Sequence, residues 1–220
     1  MKKTRVRTLI VATALVAAVS ASSAAYAMGG FGRSAAEPAT NRSSAAVPGD
    51  GTCLVPAVPV DATVADLTAT EVVDLTFLLE EEKLARDVYA ALYEQWSLRT
   101  FANIATSEQR HMDAVEGVLV AYGVDYAVSE TPGVFENDEL QALYDQLIAR
   151  GSDSLASAIE VGILVERVDI ADIDEQLINT ENVTIEQVYE NLRAGSEKHL
   201  AAFTKVYGIY ADGDVDSVTL

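Results

Sequence analysis

The sequence predicts an all-α fold, a bundle of four long helices whose second and third members are joined by a long crossover carrying a short helix of its own. Three observations lead there. From Leu67 onward, apolar residues recur at three- and four-residue spacing, and no stretch shows the two-residue alternation of a half-buried strand. Helix-starting and helix-stopping residues punctuate that region at helix-length intervals. Half of the 220 residues are hydrophobic, enough for the core of one domain with appendages.

The chain opens on an export signal. Lys2, Lys3, Arg5 and Arg7 form a basic n-region, and Leu9–Val19 is an apolar run too short to span a bilayer. Ala25-Tyr26-Ala27 supplies the small-x-small pattern of a cleavage site, which assigns residues 1–27 to a signal peptide and starts the mature chain near Met28. An uncleaved anchor would want a longer apolar stretch. The expected location is therefore extracytoplasmic, secreted or periplasmic. Residues 28–66 are rich in Ala, Gly, Ser, Pro and Val without periodicity, and are expected to form a flexible spacer. The single cysteine, Cys53, falls within it, which excludes an internal disulfide and any Cys-rich zinc or iron–sulfur site.

The helical domain is expected over residues 67–208. Thr68-Ala69-Thr70-Glu71 is a capping box, in which hydroxyl and carboxylate satisfy each other's backbone N–H, and it starts a first helix running to about Trp96. A second helix begins near Thr100 and stops at Gly123, a glycine suited to the left-handed conformation that closes helices. A loop with Pro132 and Gly133 follows, and Asn137 caps a short helix ending at Gly151. Ser152 or Ser154 opens the third long helix, which continues to about Asn179. Thr184-Ile185-Glu186-Gln187 reads as a second capping box opening the fourth, which ends near Gly208, with 209–220 left as an acidic C-terminal tail. Short connections make the first and second helices, and the third and fourth, antiparallel neighbours. The crossover between the pairs is about 30 residues, long for a bundle connection.

The net charge is −19, from 34 Asp and Glu against 15 Lys and Arg. This argues against nucleic acid, where affinity comes from cationic side chains neutralising phosphates, and against adsorption to anionic membranes. A solvated acidic surface accounts for most of the excess.

It does not account for acids on apolar faces. In the first helix Leu75, Leu78, Glu82, Ala85, Arg86, Tyr89 and Tyr93 share one face, while Glu80 and Glu81 point elsewhere and are expected in solvent. The second carries Glu108-x-x-His111 in line with Ile104, Ala105, Val115 and Leu119. In the third, Glu166 and Asp169 lie one turn apart among Ile163, Ile170 and Ile173, and the fourth sets His199 in line with Leu192, Ser196, Phe203 and Val206. Ionised carboxylates buried without partners would each cost several kcal/mol, so such a cluster neutralises itself or coordinates a cation. Glu-x-x-His puts a carboxylate and an imidazole on adjacent turns of one face, where both reach one ion. Plainer readings stand beside this one. Glu108 and His111 could be an exposed surface pair, Glu82 could pair with Arg86, His199 could be a hydrogen-bonded core residue, and Asp169 could face solvent. Tyr89 is read as core packing.

These residues resemble a known group. Glu82-x-x-Ala85-Arg86-x-x-Tyr89 and Glu108-x-x-His111 look like the first two helices of rubrerythrins and other ferritin-like di-iron carboxylate proteins. The segment 67–208 is most similar to a bacterial ferritin-like family of unknown function, through Glu81-Glu-Lys-Leu-Ala-Arg-Asp-Val-Tyr89, Ser107-Glu-Gln-Arg-His-Met-Asp-Ala114 and Gly195-Ser-Glu-Lys-His-Leu200. The resemblance implies a ferritin-like four-helix bundle, whose long crossover fits that topology. It implies Glu82 as terminal ligand of a first ion, Glu108 as a bridge between two, and His111 on one of them. Glu166 would bridge or cap the other ion, and His199 would bind it. The fourth helix departs from the pattern, because Ser196 stands where a second Glu-x-x-His would have its acid. Glu197 is rotated by roughly 160° from His199 and does not substitute. Asp169 is the first replacement candidate, ahead of Glu160, which lies off the Glu166 face.

The function implied is redox chemistry at a di-iron site, or one with manganese, acting on peroxide, dioxygen or Fe(II) as a peroxidase or ferroxidase does. A lone cysteine cannot build the Cys-rich electron-transfer module of rubrerythrins. The alternatives are a non-catalytic bundle that sequesters metal or serves as a scaffold, and a structural bundle whose inherited site is dead. Metal ions are the expected partners, with a homodimer admitted, and with neither nucleic acid nor, after cleavage, membrane.

Overall fold

The computed structural model describes residues 67–211 together with 215, 218 and 219. The expected signal peptide over 1–27, the expected spacer over 28–66 with Cys53, and part of the tail lie outside the described residues. Five helices and no strand occur among the described residues: α1 (Ala69–Trp96), α2 (Arg99–Ala121), α3 (Asp138–Gly151), α4 (Leu155–Asn179) and α5 (Val183–Tyr210).

The caps explain the boundaries. The Thr68 hydroxyl accepts the Glu71 N–H at 3.2 Å, and the Glu71 carboxylate accepts the Thr68 N–H at 2.8 Å. Ser97 closes α1 with a φ of 54°, unusual outside glycine, and lets α2 start two residues later. Gly123, at a φ of 66°, turns the chain out of α2. Asn137 caps α3, and Ser154 rather than Ser152 caps α4. For α5 the expected Thr184 box is replaced by Asn182, whose side chain accepts the Thr184 and Ile185 N–H groups. Thr184 already lies within the first turn, and the helix continues two residues past Gly208 to Tyr210.

Contacts at the two ends of the bundle set the directions. At one end the Thr180 hydroxyl donates to Glu71 at 2.7 Å, and Asn182 Nδ2 donates to the Tyr122 hydroxyl at 3.0 Å. At the other, Trp96 Nε1 donates to the Gly151 carbonyl at 2.9 Å and the Tyr207 hydroxyl to Glu160 at 3.2 Å. Hence α1–α2 and α4–α5 are antiparallel pairs, as the short connections predicted. α2 and α4 run the same way, so the chain between them must travel the length of the bundle.

A polar strip on α1 pins that crossover. Lys83, fully buried, donates to Asp87 at 2.6 Å and to the Thr131 and Val134 carbonyls at 3.1 and 3.0 Å. Asp87 also accepts the Gly133 N–H, and the Glu80 carboxylate accepts the N–H groups of Glu136 and Asn137 just before α3. Glu80 is thus buried under the crossover instead of solvated, a position that helical periodicity does not foresee. The tail also folds back: Arg167 donates to the Val215 and Val218 carbonyls, and Val218 is buried.

Apolar packing falls into two clusters. One holds Leu84, Val88, Tyr89, Phe101, Ile104, Ile159, Ile163 and Phe203, and the other Leu75, Leu78, Val115, Leu119, Ile173, Ile185, Val188 and Leu192. On each long helix the sequence passes from one cluster to the other across a polar interruption: Glu82, Glu108 to His111, Glu166 to Asp169, and Ser196 to His199. The four interruptions lie at one level. The bundle is two apolar cores separated by a polar layer.

Candidate metal centre

Each helix supplies the layer through its own periodicity. Glu82 follows Leu75 and Leu78 along the inward stripe of α1, and Glu108 and His111 occupy one stripe of α2 between Ile104 and Val115. Glu166 continues Ile159 and Ile163 on α4, and His199 lies between Leu192 and Phe203 on α5. Glu82, Glu108, His111, Glu166 and His199 are each no more than 2% exposed. Of the six candidate ligands, only Asp169 is partly exposed.

The centre of the layer is Glu108. One of its oxygens lies 2.9 Å from His111 Nδ1 and the other 2.9 Å from His199 Nδ1. Glu82 approaches His111 Nδ1 at 3.2 Å, and Glu166 approaches His199 Nδ1 at 3.5 Å. The imidazoles face each other with centroids 5.3 Å apart and planes 26° from parallel. Glu108, His111 and His199 bring one ligand atom each within 4.8 Å of one another, with Glu82 and Glu166 flanking them.

Sequence reasoning misplaced several neighbours. Arg86 does not pair with Glu82: it binds Asp87 and donates to Gln109 at 2.6 Å, so the salt-bridge reading of Glu82 falls away. Tyr93 is exposed. Tyr89 packs against Phe101 and Phe203 as expected, yet its hydroxyl also donates to Glu166 at 2.6 Å. Its place seven residues after Glu82, two turns along the same stripe, was the available signal. Glu160 lies outside the layer, bound to Arg150 and Tyr207. Asp169 sits beside the layer, where the charges of Glu82 and Glu166 reach it, while the Ser196 hydroxyl donates to the Leu192 carbonyl of its own helix at 3.1 Å. Glu81, expected in solvent, is buried against α4 beside Asp169 and Asp172.

Burial and mutual charge shape the acidities. Burial alone would raise Glu108, but the imidazoles of His199 and His111 outweigh it and hold this carboxyl well below its usual range. Burial and the charge of Glu108 push Glu166 up to about 7, against the pull of His199 and Tyr89. Burial would lower His199, yet Glu108 and Glu166 raise it to about 10. Glu82 is raised by burial despite His111. Asp169 is raised by burial and by the charges of Glu82 and Glu166.

The donor set fits a transition-metal ion. Glu82 Oε1 and both ring nitrogens of His199 are buried with no hydrogen-bond partner, and Glu108 Oε1 faces His199 Nδ1 outside hydrogen-bond geometry. Such groups are costly left unmet, and a cation between carboxylate and imidazole lone pairs satisfies them together. Glu82, Glu108 and His111 would hold one ion, and Glu108, Glu166 and His199 a second.

The fold and this layer define a class, an all-α bundle with a buried carboxylate–imidazole cluster. The chain belongs to the family described as uncharacterized protein domain DUF2202, which matches residues 71–213. It is 46% identical over 132 residues to the uncharacterized protein MJ0754 of Methanocaldococcus jannaschii, a match spanning 60% of this chain and 71% of that protein. It is also similar to the crystal structure of hypothetical protein MJ0754 from Methanococcus jannaschii DSM 2661. That likeness has a TM-score of 0.68 at 40% identity, over 70% of this chain and 89% of the other.

Proposed function

We propose that the protein is an exported, ferritin-like metal-binding protein whose polar layer holds two iron ions, or a manganese–iron pair. The observation that carries this reading is Glu108, a single buried carboxylate set 2.9 Å from an imidazole nitrogen on either side. When bound, an Fe(II) pair supplies two electrons to one peroxide, which takes up two protons and leaves as two waters; dioxygen is the alternative oxidant. The chain's own residues prepare the place. Glu82, Glu108 and Glu166 provide hard anionic oxygens suited to iron or manganese, and the two imidazoles add nitrogen ligands. Tyr89 fixes one oxygen of Glu166, leaving the other turned toward His199. The apolar clusters above and below keep bulk water out of the layer.

Ser196 favours a second reading, metal holding without turnover, because the second ion would lack one anionic ligand. Element analysis after anaerobic Fe(II) loading should find stoichiometric iron, lost in the Glu108→Ala, His111→Ala double variant. Equal trace iron in both proteins would refute metal binding at this site. Loaded protein whose iron stays Fe(II) when peroxide is added would establish the non-catalytic reading. Export is tested separately, by finding the mature N-terminus near Met28.

A further inference from the structure

The apolar clusters lie above and below the polar layer, so the direct way into it is through a side of the bundle. One side is built differently from the rest. The crossover helix α3 packs on α1 and α4 together and covers the seam between them. Leu140, Leu143 and Leu147 recur at three and four residues along α3 and form the face it turns to that seam. They meet Leu84 of α1 and Leu164 and Val165 of α4, but the three surfaces leave a cavity of about 30 Å³ between them. That is room for about two waters, or for one diatomic molecule.

The cavity adjoins the layer. Ala85 in its wall stands one turn after Glu82 on α1, and Val165 directly precedes Glu166 on α4. Asp169, also in the wall, is reached by the charges of both Glu82 and Glu166. Glu108 and His111 stand across the layer on α2, and His199 on α5. On the cavity side, then, each helix offers one carboxylate, Glu82 from α1 and Glu166 from α4, and no imidazole.

The chemistry of the walls selects the occupant. Among the described side chains that line the cavity, only Glu81 and Asp169 can hydrogen-bond, and the rest are leucine, valine and alanine. A water or a peroxide set among the apolar walls gives up hydrogen bonds that it makes in bulk water, which is why apolar cavities stay dry and take up apolar guests. Dioxygen has almost no hydrogen bonding to lose. It is small, apolar and of the size that the cavity admits.

We propose that this cavity is a site for one molecule of dioxygen, held beside the layer and entered between Leu143 and Val168, the half-buried apolar members of its walls. The site itself needs no metal. Its use rests on the metal-binding reading of the layer, which it deepens by naming dioxygen as the oxidant for which the fold keeps a place. Given two electrons by an Fe(II) pair and joined by two protons, the molecule becomes hydrogen peroxide, a polar product that the apolar walls do not retain.

The probe is dissolved dioxygen, whose unpaired electrons speed the relaxation of nearby protons. In the metal-free full chain under raised dioxygen pressure, the methyl groups of Leu84, Leu147 and Val165 should relax several-fold faster than those of Leu119 and Ile185, which are likewise buried but lie in the other apolar cluster. Nitrogen at the same pressure should have no such effect. Leu143→Phe, which fills the cavity from its half-buried edge, should abolish the difference. Leu147→Ala, which enlarges the cavity, should keep it at Leu84 and Val165. In the iron-loaded chain Leu143→Phe should slow the oxidation of Fe(II) by dioxygen several-fold and leave its oxidation by added peroxide at the wild-type rate.

Equal relaxation of both sets of methyl groups in the metal-free wild type would overturn the proposal whatever the layer binds. So would loss of the difference in Leu147→Ala, a test that stands even if Leu143→Phe does not fold. A Leu143→Phe chain that no longer takes up dioxygen, yet reacts with it at the wild-type rate, would overturn the part the cavity plays in supplying the layer. If the chain holds no iron but the methyl groups still report dioxygen, the dioxygen site stands and the reading of the layer fails.

Discussion

Replacing Glu108 by Gln keeps the shape of the side chain and removes the charge at the centre of the layer. In the metal-free protein that charge lies 2.9 Å from both His111 Nδ1 and His199 Nδ1, with all three side chains essentially buried. Burial would discharge His199, but Glu108 and Glu166 raise it to about 10, so at neutral pH it is a cation held by these neighbours. Removing one partner of a buried pair leaves the other charge uncompensated, at ~3–5 kcal/mol. Glu166 remains 3.5 Å from His199 and Glu82 3.2 Å from His111, so the low end, about 3 kcal/mol, is expected. For a domain of this size each kcal/mol moves the melting temperature by ~2–4 °C, which gives a fall of about 6–12 °C. Metal deepens the contrast. At one hundred times its Kd an ion stabilises the wild type by about 2.7 kcal/mol, and the variant should gain far less. The assay is thermal unfolding of both proteins, in chelator and in excess Zn(II) or Mn(II). An unchanged melting temperature in chelator together with a full metal-induced rise would refute the central role of Glu108.

Three other outcomes follow from the same geometry. Ser196→Glu should restore a second Glu-x-x-His and tighten the weaker ion by ~10-fold or more, and Asp169→Ala should weaken that ion; identical metal titrations of the three proteins would show that Ser196 and Asp169 do not serve the site. The metal-free bundle should be more stable at pH 5 than at pH 8, by melting in chelator. Glu81, Glu82, Glu166 and Asp169 are all raised by burial, and a raised group contributes stability that is present below its unfolded value and lost as pH rises through the folded one, from 4.5 to about 7 for Glu166. Saturating metal should reverse that trend, since an ion must displace these protons, and a metal-free protein that gains stability from pH 5 to 8 would contradict the assignment. Gly162→Ala should cost about 1–3 kcal/mol in denaturant unfolding, because a Cβ there would lie 2.7 Å from the Phe203 ring; a neutral result would mean that the ring has room to move aside.

Much of the fold was legible in local chemistry. The Thr68–Glu71 box, Asn137, Ser154 and Gly123 mark helix ends through bonds or backbone angles that involve only residues a few positions away. Periodicity likewise set Glu82, Glu108, His111, Glu166 and His199 on inward stripes, since inward-facing positions of a helix recur at three and four residues whatever packs against them. The second cap was misread for the same local reason: Asn182 and Thr184 are both good caps, and only the geometry of the turn chose between them.

What periodicity cannot carry is the choice of neighbour. Glu80, Glu81 and Lys83 lie beside the inward stripe of α1, where a four-helix pattern leaves water. The crossover and α4 bury all three, one as an acceptor for the start of α3, one against Asp169 and Asp172, and one as a staple for the crossover. Likewise no local rule joins Tyr89 to Glu166, 77 residues away, or sets Asp169 within reach of the charge of Glu82. Helical spacing therefore determined which side chains turn inward, a property of each helix alone. The level at which the four polar interruptions meet, and the partner each acid finds there, depend on how the helices stack, and only the tertiary structure decided them.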